Sequence, residues 1–204
     1  MRKVYLFMTL SLDGYFEGPN HDISWHRVDD EFNRFAIEQL KEVGIMMFGR
    51  RTYQLMEASW PKAANDPATS EDNLEIAHLI NNAQKVVFSR TLDKVEEREN
   101  WRNVKLAKKF DPEEIRRLKN HQGKGIWVGG SDIAVSFIRA GLIDEFRFMM
   151  DPIVIGGGTP IFKGLDSKLD LELIEARSFS SGNILLSYKP AKDKRTLLEP
   201  VHVS

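Results

Sequence analysis

Residues 125–133 read Gly-Ile-Trp-Val-Gly-Gly-Ser-Asp-Ile, and they place a pair of glycines between an apolar run and a helical segment. The run 125–128 is continuously apolar, as is typical of a strand buried on both faces. Ile133 to Ala140 follows as a helix that Gly141 ends. The stretch therefore predicts a strand, a glycine turn and a helix in direct succession.

The same order of elements recurs along the chain. Ile45–Phe48 is a second buried strand, and Gly49 separates it from a short helix. Further strands are predicted at Val4–Leu10, Lys85–Ser89, Val104–Ala107 and Asp144–Met150, with a C-terminal hairpin of 169–178 and 183–189 around Ser181-Gly182. Helices are predicted at Asp29–Val43 (ended by Gly44), Leu74–Asn81 and Pro112 to about Asn120, and an exposed loop at Pro61–Asn73.

Alternating strands and helices predict an α/β fold. We expect three layers (α/β/α), with a mostly parallel central sheet covered on both faces and antiparallel C-terminal strands. In such sheets, ligands bind at the carboxyl ends of the strands. Site residues are therefore sought where each strand ends.

Composition limits the classes of protein that the chain can be. Its 204 residues, 42% hydrophobic and 29% charged, suit one folded domain. We place this domain at residues 1–190, with a tail at 191–204 that is either disordered or docked on a partner subunit. The net charge of -1 gives no field to attract nucleic acid or an anionic membrane.

Three features restrict the chemistry expected. The chain has no cysteine, which excludes disulfides and suits a reducing compartment. No apolar run reaches the roughly 18 residues of a membrane span, and Asp13 and Glu17 follow the first strand too closely for a signal peptide. The five histidines show no metal-binding spacing. We therefore expect a cytoplasmic protein without a metal site.

Two strand-to-helix junctions are candidate phosphate sites. At Gly129, Gly130, Ser131 and Asp132, glycines let the backbone approach a pyrophosphate, and the helix N-terminus supplies unpaired N–H groups. The alternative, an ordinary tight turn, carries equal weight for this segment alone. At the second junction, Gly49, Arg50, Arg51 and Thr52, two arginines begin a helix, where cations are disfavoured unless an anion is bound. Solvated surface arginines are the alternative there.

Two further segments carry candidate side chains. Ser89 and Arg90 end a strand with a hydroxyl and a cation, which can hold a ribose 2′-phosphate. Asp30, preceded by Asp13 and Trp25, would head the long helix among aromatic residues, where a carboxylate with a raised pKa can bind a heterocycle or relay a proton. A plain helix cap is the alternative for Asp29 and Asp30.

Taken in order, five segments resemble the dihydrofolate reductase-like superfamily, and more closely the reductase domain of riboflavin biosynthesis proteins. The resemblance extends from about Val4 to Lys189. The segments that carry it are Ser11-Leu12-Asp13-Gly14, Gly49-Arg50-Arg51-Thr52-Tyr53, Val87-Phe88-Ser89-Arg90, Val128-Gly129-Gly130-Ser131 and Pro152 to Gly158.

The resemblance implies a sheet of about eight strands with NADPH across the carboxyl ends. By this similarity, the segment from Gly49 to Thr52 binds adenosine-side phosphates, Ser89 and Arg90 lie near the 2′-phosphate, and 129–132 bind the pyrophosphate. Gly14 belongs to the loop over the nicotinamide, Asp13 and Trp25 to the substrate region. Asp30 matches the folate reductases' substrate carboxylate, and is the expected catalytic residue.

The resulting hypothesis is an NADPH-dependent reductase that transfers a hydride to a small pterin- or pyrimidine-like metabolite. The alternatives are a dinucleotide-binding module or sensor without turnover, and a structural homodimer whose glycine turns are only turns. A cofactor cradle beside a pocket without acid or base would favour the sensor. The resemblance also implies a homodimer paired through C-terminal strands.

Overall fold

The computed structural model describes residues 1–191 and contains a mixed sheet of eight strands. The strands are β1 Val4–Ser11, β2 Tyr15–Glu17, β3 Val43–Gly49, β4 Gln84–Phe88, β5 Val104–Ala107, β6 Gly125–Gly129, β7 Glu145–Asp151, β8 Thr159–Pro160, β9 Leu171–Ser178 and β10 Ile184–Pro190. The helices are α1 Asp30–Lys41, α2 Arg50–Ala63, α3 Glu71–Asn82, α4 Pro112–Asn120 and α5 Ser131–Arg139.

The strand order in the large sheet is β5-β4-β3-β6-β1-β7-β10-β9. The pairs from β5 to β7 are parallel, whereas β10 pairs antiparallel with both β7 and β9. This arrangement confirms the predicted α/β class, with a mostly parallel sheet and antiparallel C-terminal strands. The strands β2 and β8 form a separate two-stranded sheet.

Each face of the large sheet has its own hydrophobic core. Because neighbouring residues of a strand point to opposite faces, Leu6 of β1 packs with α4 and α5, whereas Tyr5 packs with α1, α2 and α3. Phe137 of α5 and Trp101 are fully buried, one in each core. The two cores hold α2 and α5 on opposite faces of the sheet. Because α2 follows β3 and α5 follows β6, and these strands are parallel, both helices begin at the carboxyl ends of the strands.

Helix α1 begins as predicted and ends earlier than predicted. Asp29 is the N-cap, and its carboxylate accepts a hydrogen bond from the Phe32 backbone N–H at 2.8 Å. The prediction that Gly44 ends the helix is wrong, because the helix stops at Lys41 and Gly44 lies inside β3. A Cβ at Gly44 would be 3.1 Å from the Lys124 Cβ, so this glycine allows two chain segments to lie close together.

The exposed loop predicted at 61–73 is shorter in the structure. Helix α2 continues through Pro61 to Ala63, and α3 begins at Glu71 because the Ser70 hydroxyl caps it. The Trp60 carbonyl accepts a hydrogen bond from Asn81 Nδ2 at 3.3 Å, and its ring packs on the second core. Tertiary contacts thus hold the last turn of α2 despite the proline.

The strands β2 and β8 were not predicted from the sequence. They pair Tyr15 with Pro160 and Glu17 with Thr159, and so join the segment after β1 to the segment after β7. Such short strands, two and three residues long, carry no periodic signal of their own. Of the tail predicted at 191–204, all but Ala191 lies outside the described residues. Within residues 1–191, no helix is both long and apolar enough to span a membrane.

Phe137→Ala is expected to lower the free energy of unfolding by about 3–5 kcal/mol, because it leaves a cavity beneath α5. The Phe137 ring packs at centroid distances of 5.1 Å from Phe110 and 6.4 Å from Phe88. Val154→Ala is the control, since Val154 is 68% exposed and its truncation should change stability by less than about 0.5 kcal/mol. Urea titration measures both, and equal losses would contradict the assigned core.

Candidate functional site

A large cavity of about 1880 Å³ lies along the carboxyl ends of the parallel strands. The residues after β3, β4, β5 and β6 line one part of it, and the loop between β1 and α1 lines another. Parallel strands all end at the same edge, so separate segments of the chain meet there. The cavity thus has two ends, named here the cationic end and the loop end.

Two helix N-termini adjoin one another in the middle of this edge. Strands β3 and β6 are neighbours, with Phe48 paired to Gly129, so α2 and α5 begin side by side. Their N-caps are Gly49 and Gly130, and neither has a side chain that could accept the first N–H groups of the helix. Both helix dipoles therefore direct partial positive charge and unpaired amides toward the cavity.

Close packing at this junction leaves no space for a side chain on Gly130. Its φ of 96° lies in the left-handed region, and a Cβ there would be 2.5 Å from Thr52 Oγ1. The Gly130 N–H lies 3.4 Å from the Met8 sulfur, which is a weak acceptor. The Gly130 N–H thus has only a weak acceptor here, and the N-cap of α5 carries no side chain, which suits an anion cradle.

Basic side chains define the cationic end of the cavity. Those that line it are Arg50, Arg51, Arg90, Lys108 and Lys109. The Ser89 hydroxyl accepts from the Leu92 N–H at 3.0 Å, which shapes the turn after β4, and Arg50 donates to Thr91 Oγ1 at 3.2 Å. An anionic ligand laid along this end would meet several cations at once.

Lys108 and Lys109 were missed in the sequence analysis. Their signal was available, since two lysines directly follow the predicted strand Val104–Ala107. Lys108 donates a hydrogen bond to the Leu92 carbonyl, which draws its ammonium group toward the turn that holds Ser89 and Arg90. The residues after β4 and those after β5 thus line the same region of the cavity.

The loop end of the cavity combines apolar walls with acid and base side chains. Its walls include Phe7, Phe16, Ile23, Val28 and Phe32. Glu17 is 8% exposed, and its Oε1 lies 2.8 Å from His21 Nδ1 and 2.7 Å from Thr159 Oγ1. The Glu17 carboxylate is therefore buried and held in place by two partners.

A second pair of polar side chains, His26 and Asp151, has buried atoms without hydrogen-bond partners among the described residues. His26 lines the cavity, and its buried Nε2 has no hydrogen-bond partner among the described residues. Burial lowers the pKa of His26, while the charge of Asp151 and a hydrogen bond to the Phe16 carbonyl act in the opposite direction. Asp151 is fully buried, and burial raises the pKa of its carboxyl although the Arg27 N–H donates to its Oδ1 at 2.6 Å.

The structure brings together most of the predicted cofactor residues. The cavity is lined by Gly49, Arg50, Arg51, Thr52, Ser89, Arg90, Gly129, Gly130, Ser131 and Asp132. Gly14 is not among the lining residues. The segments that the sequence analysis treated separately therefore form one continuous surface.

The predicted substrate and catalytic residues lie outside the cavity lining. Asp13 accepts hydrogen bonds from the Ile155 and Gly156 N–H groups at 3.2 and 2.8 Å, and its hydrogen bond with Ser11, together with these two, lowers the pKa of its carboxyl. Trp25 donates to the Asp22 carbonyl at 3.0 Å. Asp30 is exposed in the first turn of α1. Their functional roles stay predictions, while acid and base groups inside the cavity come from neighbouring positions of the same loop.

Comparison with known proteins identifies the family. The fold is dihydrofolate reductase-like: the chain is similar to dihydrofolate reductase from Enterococcus faecalis in complex with NADP(H) and RAB-propyl (TM-score 0.58, 16% identity, covering 93% of this chain and 97% of that one). The model of the RibD C-terminal domain matches residues 2–185, and the chain belongs to that family.

Two further similar proteins agree with this assignment. The uncharacterised protein YyaP of Bacillus subtilis (strain 168) is 31% identical over 188 residues, which cover 92% of this chain and 94% of YyaP. The diaminohydroxyphosphoribosylaminopyrimidine deaminase/5-amino-6-(5-phosphoribosylamino)uracil reductase of Thermotoga maritima has a TM-score of 0.66 at 18% identity. That match covers 93% of this chain and 57% of the Thermotoga protein. The chain therefore corresponds to one part of the longer protein.

Gly130→Ala is expected to lower the free energy of unfolding by about 2 kcal/mol or more, because it adds both backbone strain and a clash with Thr52 Oγ1. Gly141→Ala is the matched control, since Gly141 also has a positive φ (62°) but has no atom within 4 Å of an added Cβ. Gly141→Ala should lower the free energy of unfolding by about 1 kcal/mol, because it adds backbone strain without a clash. Guanidinium titration compares the two, and equal losses would show that the junction is not closely packed.

Proposed function

We propose that the protein is an NADPH-dependent reductase that transfers a hydride to a small pterin- or pyrimidine-like heterocycle. The observation that carries this proposal is the pair of uncapped helix N-termini at Gly49 and Gly130 beside a row of cations. A diphosphate fits such a junction, because amides and dipoles converge on it without a competing side chain.

The residues present also suit the rest of a phosphorylated dinucleotide. From β4, which precedes Ser89 and Arg90, to β1 at the loop end there are three interstrand spacings, about 14 Å. A dinucleotide with its diphosphate over β3 and β6 would therefore direct its adenosine toward Arg50 and Arg90 and its nicotinamide toward the loop end. Bound there, the dihydronicotinamide supplies the hydride.

The chain's own residues would then bind, orient and protonate the substrate. Phe7, Phe16 and Phe32 offer apolar walls to a planar ring and keep water from it. Glu17 and His26 offer buried hydrogen-bonding groups at the same end. Titratable side chains in this position favour a reductase over a dinucleotide sensor without turnover, since a sensor needs no acid or base.

The names of the relatives support the reaction class. The description of the Thermotoga protein includes a 5-amino-6-(5-phosphoribosylamino)uracil reductase, and the Enterococcus protein is a dihydrofolate reductase in complex with NADP(H). Both names describe reductases of compounds that contain a nitrogen heterocycle. Phe7 stands where riboflavin-pathway reductases usually carry a lysine, so we leave the particular heterocycle open.

NADPH is expected to bind at micromolar concentration and to raise the melting temperature, with NADH and FAD binding more weakly. Trp127 lines the cavity, so its fluorescence should report binding. Turnover is tested with dihydrofolate, dihydropterin and the aminouracil substrate of the Thermotoga-type reductase, by loss of NADPH absorbance. Absence of binding by either nicotinamide dinucleotide would refute the proposal, and binding without turnover of the whole panel would favour the sensor.

Arg50→Ala and Arg90→Ala are each expected to lower the ratio of NADPH to NADH affinity about tenfold, because each removes one charge-assisted contact to the 2′-phosphate. Arg117→Ala in α4 is the control, since Arg117 is exposed and does not line the cavity. Titration of all three variants with both nucleotides measures the ratio. A ratio that stays constant in both cavity variants would discard the assignment of the 2′-phosphate contact.

We also propose that two copies of the chain pair through the β9 edge of the sheet. Leu173 and Ile174 are neighbours in β9, at the point where its register with β10 shifts, and they are 57% and 51% exposed. An edge strand that exposes two large apolar side chains is a candidate pairing surface. Light scattering should give the mass of a dimer, and Leu173→Lys should give that of a monomer. A monomeric wild-type protein would contradict the proposal.

A further inference from the structure

The loop end of the cavity holds one buried group whose hydrogen-bonding capacity is unused. His26 Nε2 is buried without a partner among the described residues, although the ring lines the cavity. A buried polar atom without a partner costs free energy, and such atoms in native structures call for an explanation. A ligand in the cavity that bonds to Nε2 would supply it.

The position of the ring is fixed by its neighbours. A hydrogen bond from the imidazole to the Phe16 backbone helps to hold the ring, and Nε2 has no partner among the described residues. Trp25 packs edge-on against the ring, with centroids 4.3 Å apart. Behind these groups, Asp151 Oδ2 is also buried and without a hydrogen-bond partner among residues 1–191. The imidazole is thus oriented by its neighbours, and its buried Nε2 is left without a hydrogen-bond partner among the described residues.

We propose that His26 bonds through Nε2 to the ring nitrogen of the reducible heterocycle and delivers the proton that accompanies the hydride. The inference rests on the proposed function and deepens it. The hydride from the dihydronicotinamide forms a C–H bond at the carbon of the substrate C=N bond. The π electron pair moves to the nitrogen, which takes the proton from the imidazolium Nε2, and the neutral imidazole regains a proton from solvent.

The charges around His26 suit both protonation states. Asp151 and Asp22 favour the imidazolium, whereas burial disfavours it. Glu17 and His21 lie in the same end of the cavity, and Arg27 lies beside Asp151. Since the pKa of His26 is lowered, the protonated fraction increases as the pH falls from neutral toward that pKa. The rate of reduction should therefore rise toward acid pH and level off below the pKa.

The position of His26 can be tested without a substrate. The oxidised nicotinamide carries a positive charge that the reduced ring lacks, so a nearby imidazole should have a lower pKa in the NADP⁺ complex than in the NADPH complex, by about one unit. NMR titration of the histidine ring signals measures this, with His26 assigned by the loss of its signal in His26→Gln. The exposed His78 and His121 are internal controls and should not shift.

The outcomes separate the inference from the proposed function. If neither nucleotide binds, the proposed function fails and this role fails with it. If both bind but His26 has one pKa in the two complexes, His26 does not face the nicotinamide and the inference alone is overturned. A shift of the His26 pKa that His78 and His121 do not show supports the inference. Unchanged NADPH affinity in His26→Gln would show that the variant folds and that its cradle is intact.

Proton delivery itself is tested by measuring the rate of reduction against pH. The substrate is whichever of dihydrofolate, dihydropterin and the aminouracil compound is reduced fastest. His26→Gln keeps a hydrogen-bonding side chain but has no titratable proton, so the rate should fall at least tenfold and lose its acid-side rise. Asp151→Asn should move that rise to lower pH, because the imidazolium loses a favourable charge, while the rate at low pH is kept. A wild-type rate in His26→Gln, or the same rise in that variant, would overturn the inference.

Discussion

The structure depends on one close approach, between the backbone of Gly130 and the side chain of Thr52. It brings the junction after β6 against the first turn of α2, and it is possible only because Gly130 has a positive φ and no Cβ. Two helix N-termini can then share one site. The cores on the two faces of the sheet oppose any separation of α2 and α5, so the uncapped amides stay in place without a ligand.

Local patterns predicted the fold and the residues that meet at the cationic end of the cavity, because both depend on short segments of the sequence. A strand, a glycine and a helix follow one another within about ten residues at Gly49 and at Gly129. The spacing of the apolar residues along the sequence identifies each element. The parallel sheet then brings the strand ends together without further information. What could not be predicted was spacing across the sheet, such as the contact of Gly130 with Thr52.

Local patterns could not predict which side chains line the loop end of the cavity, since these side chains come from a segment without periodicity. Asp13 and Trp25 were predicted at the substrate from the resemblance, and Asp30 from the resemblance and its chemistry. The cavity is instead lined by Glu17, His21 and His26, which lie between β1 and α1. Which side chains of a loop face inward is set by distant partners. Here these partners lie after β7, more than one hundred residues along the chain.

These contacts join two segments that are far apart in the sequence, the one that follows β1 and the glycine-rich one that follows β7. The Asp13 carboxylate binds the amides of Ile155 and Gly156, while a Cβ at Gly158 would lie 2.0 Å from the Glu17 carbonyl. Gly158 therefore allows β8 to lie directly against β2, and Asp13 fixes the relative position of the two segments. Because Glu17 belongs to β2, and the Phe16 carbonyl beside it holds the His26 ring, this clasp positions both polar groups of the loop end. The acid and base side chains of the cavity thus depend on backbone contacts that involve no substrate, which explains how a loop without regular structure can present them in a fixed arrangement.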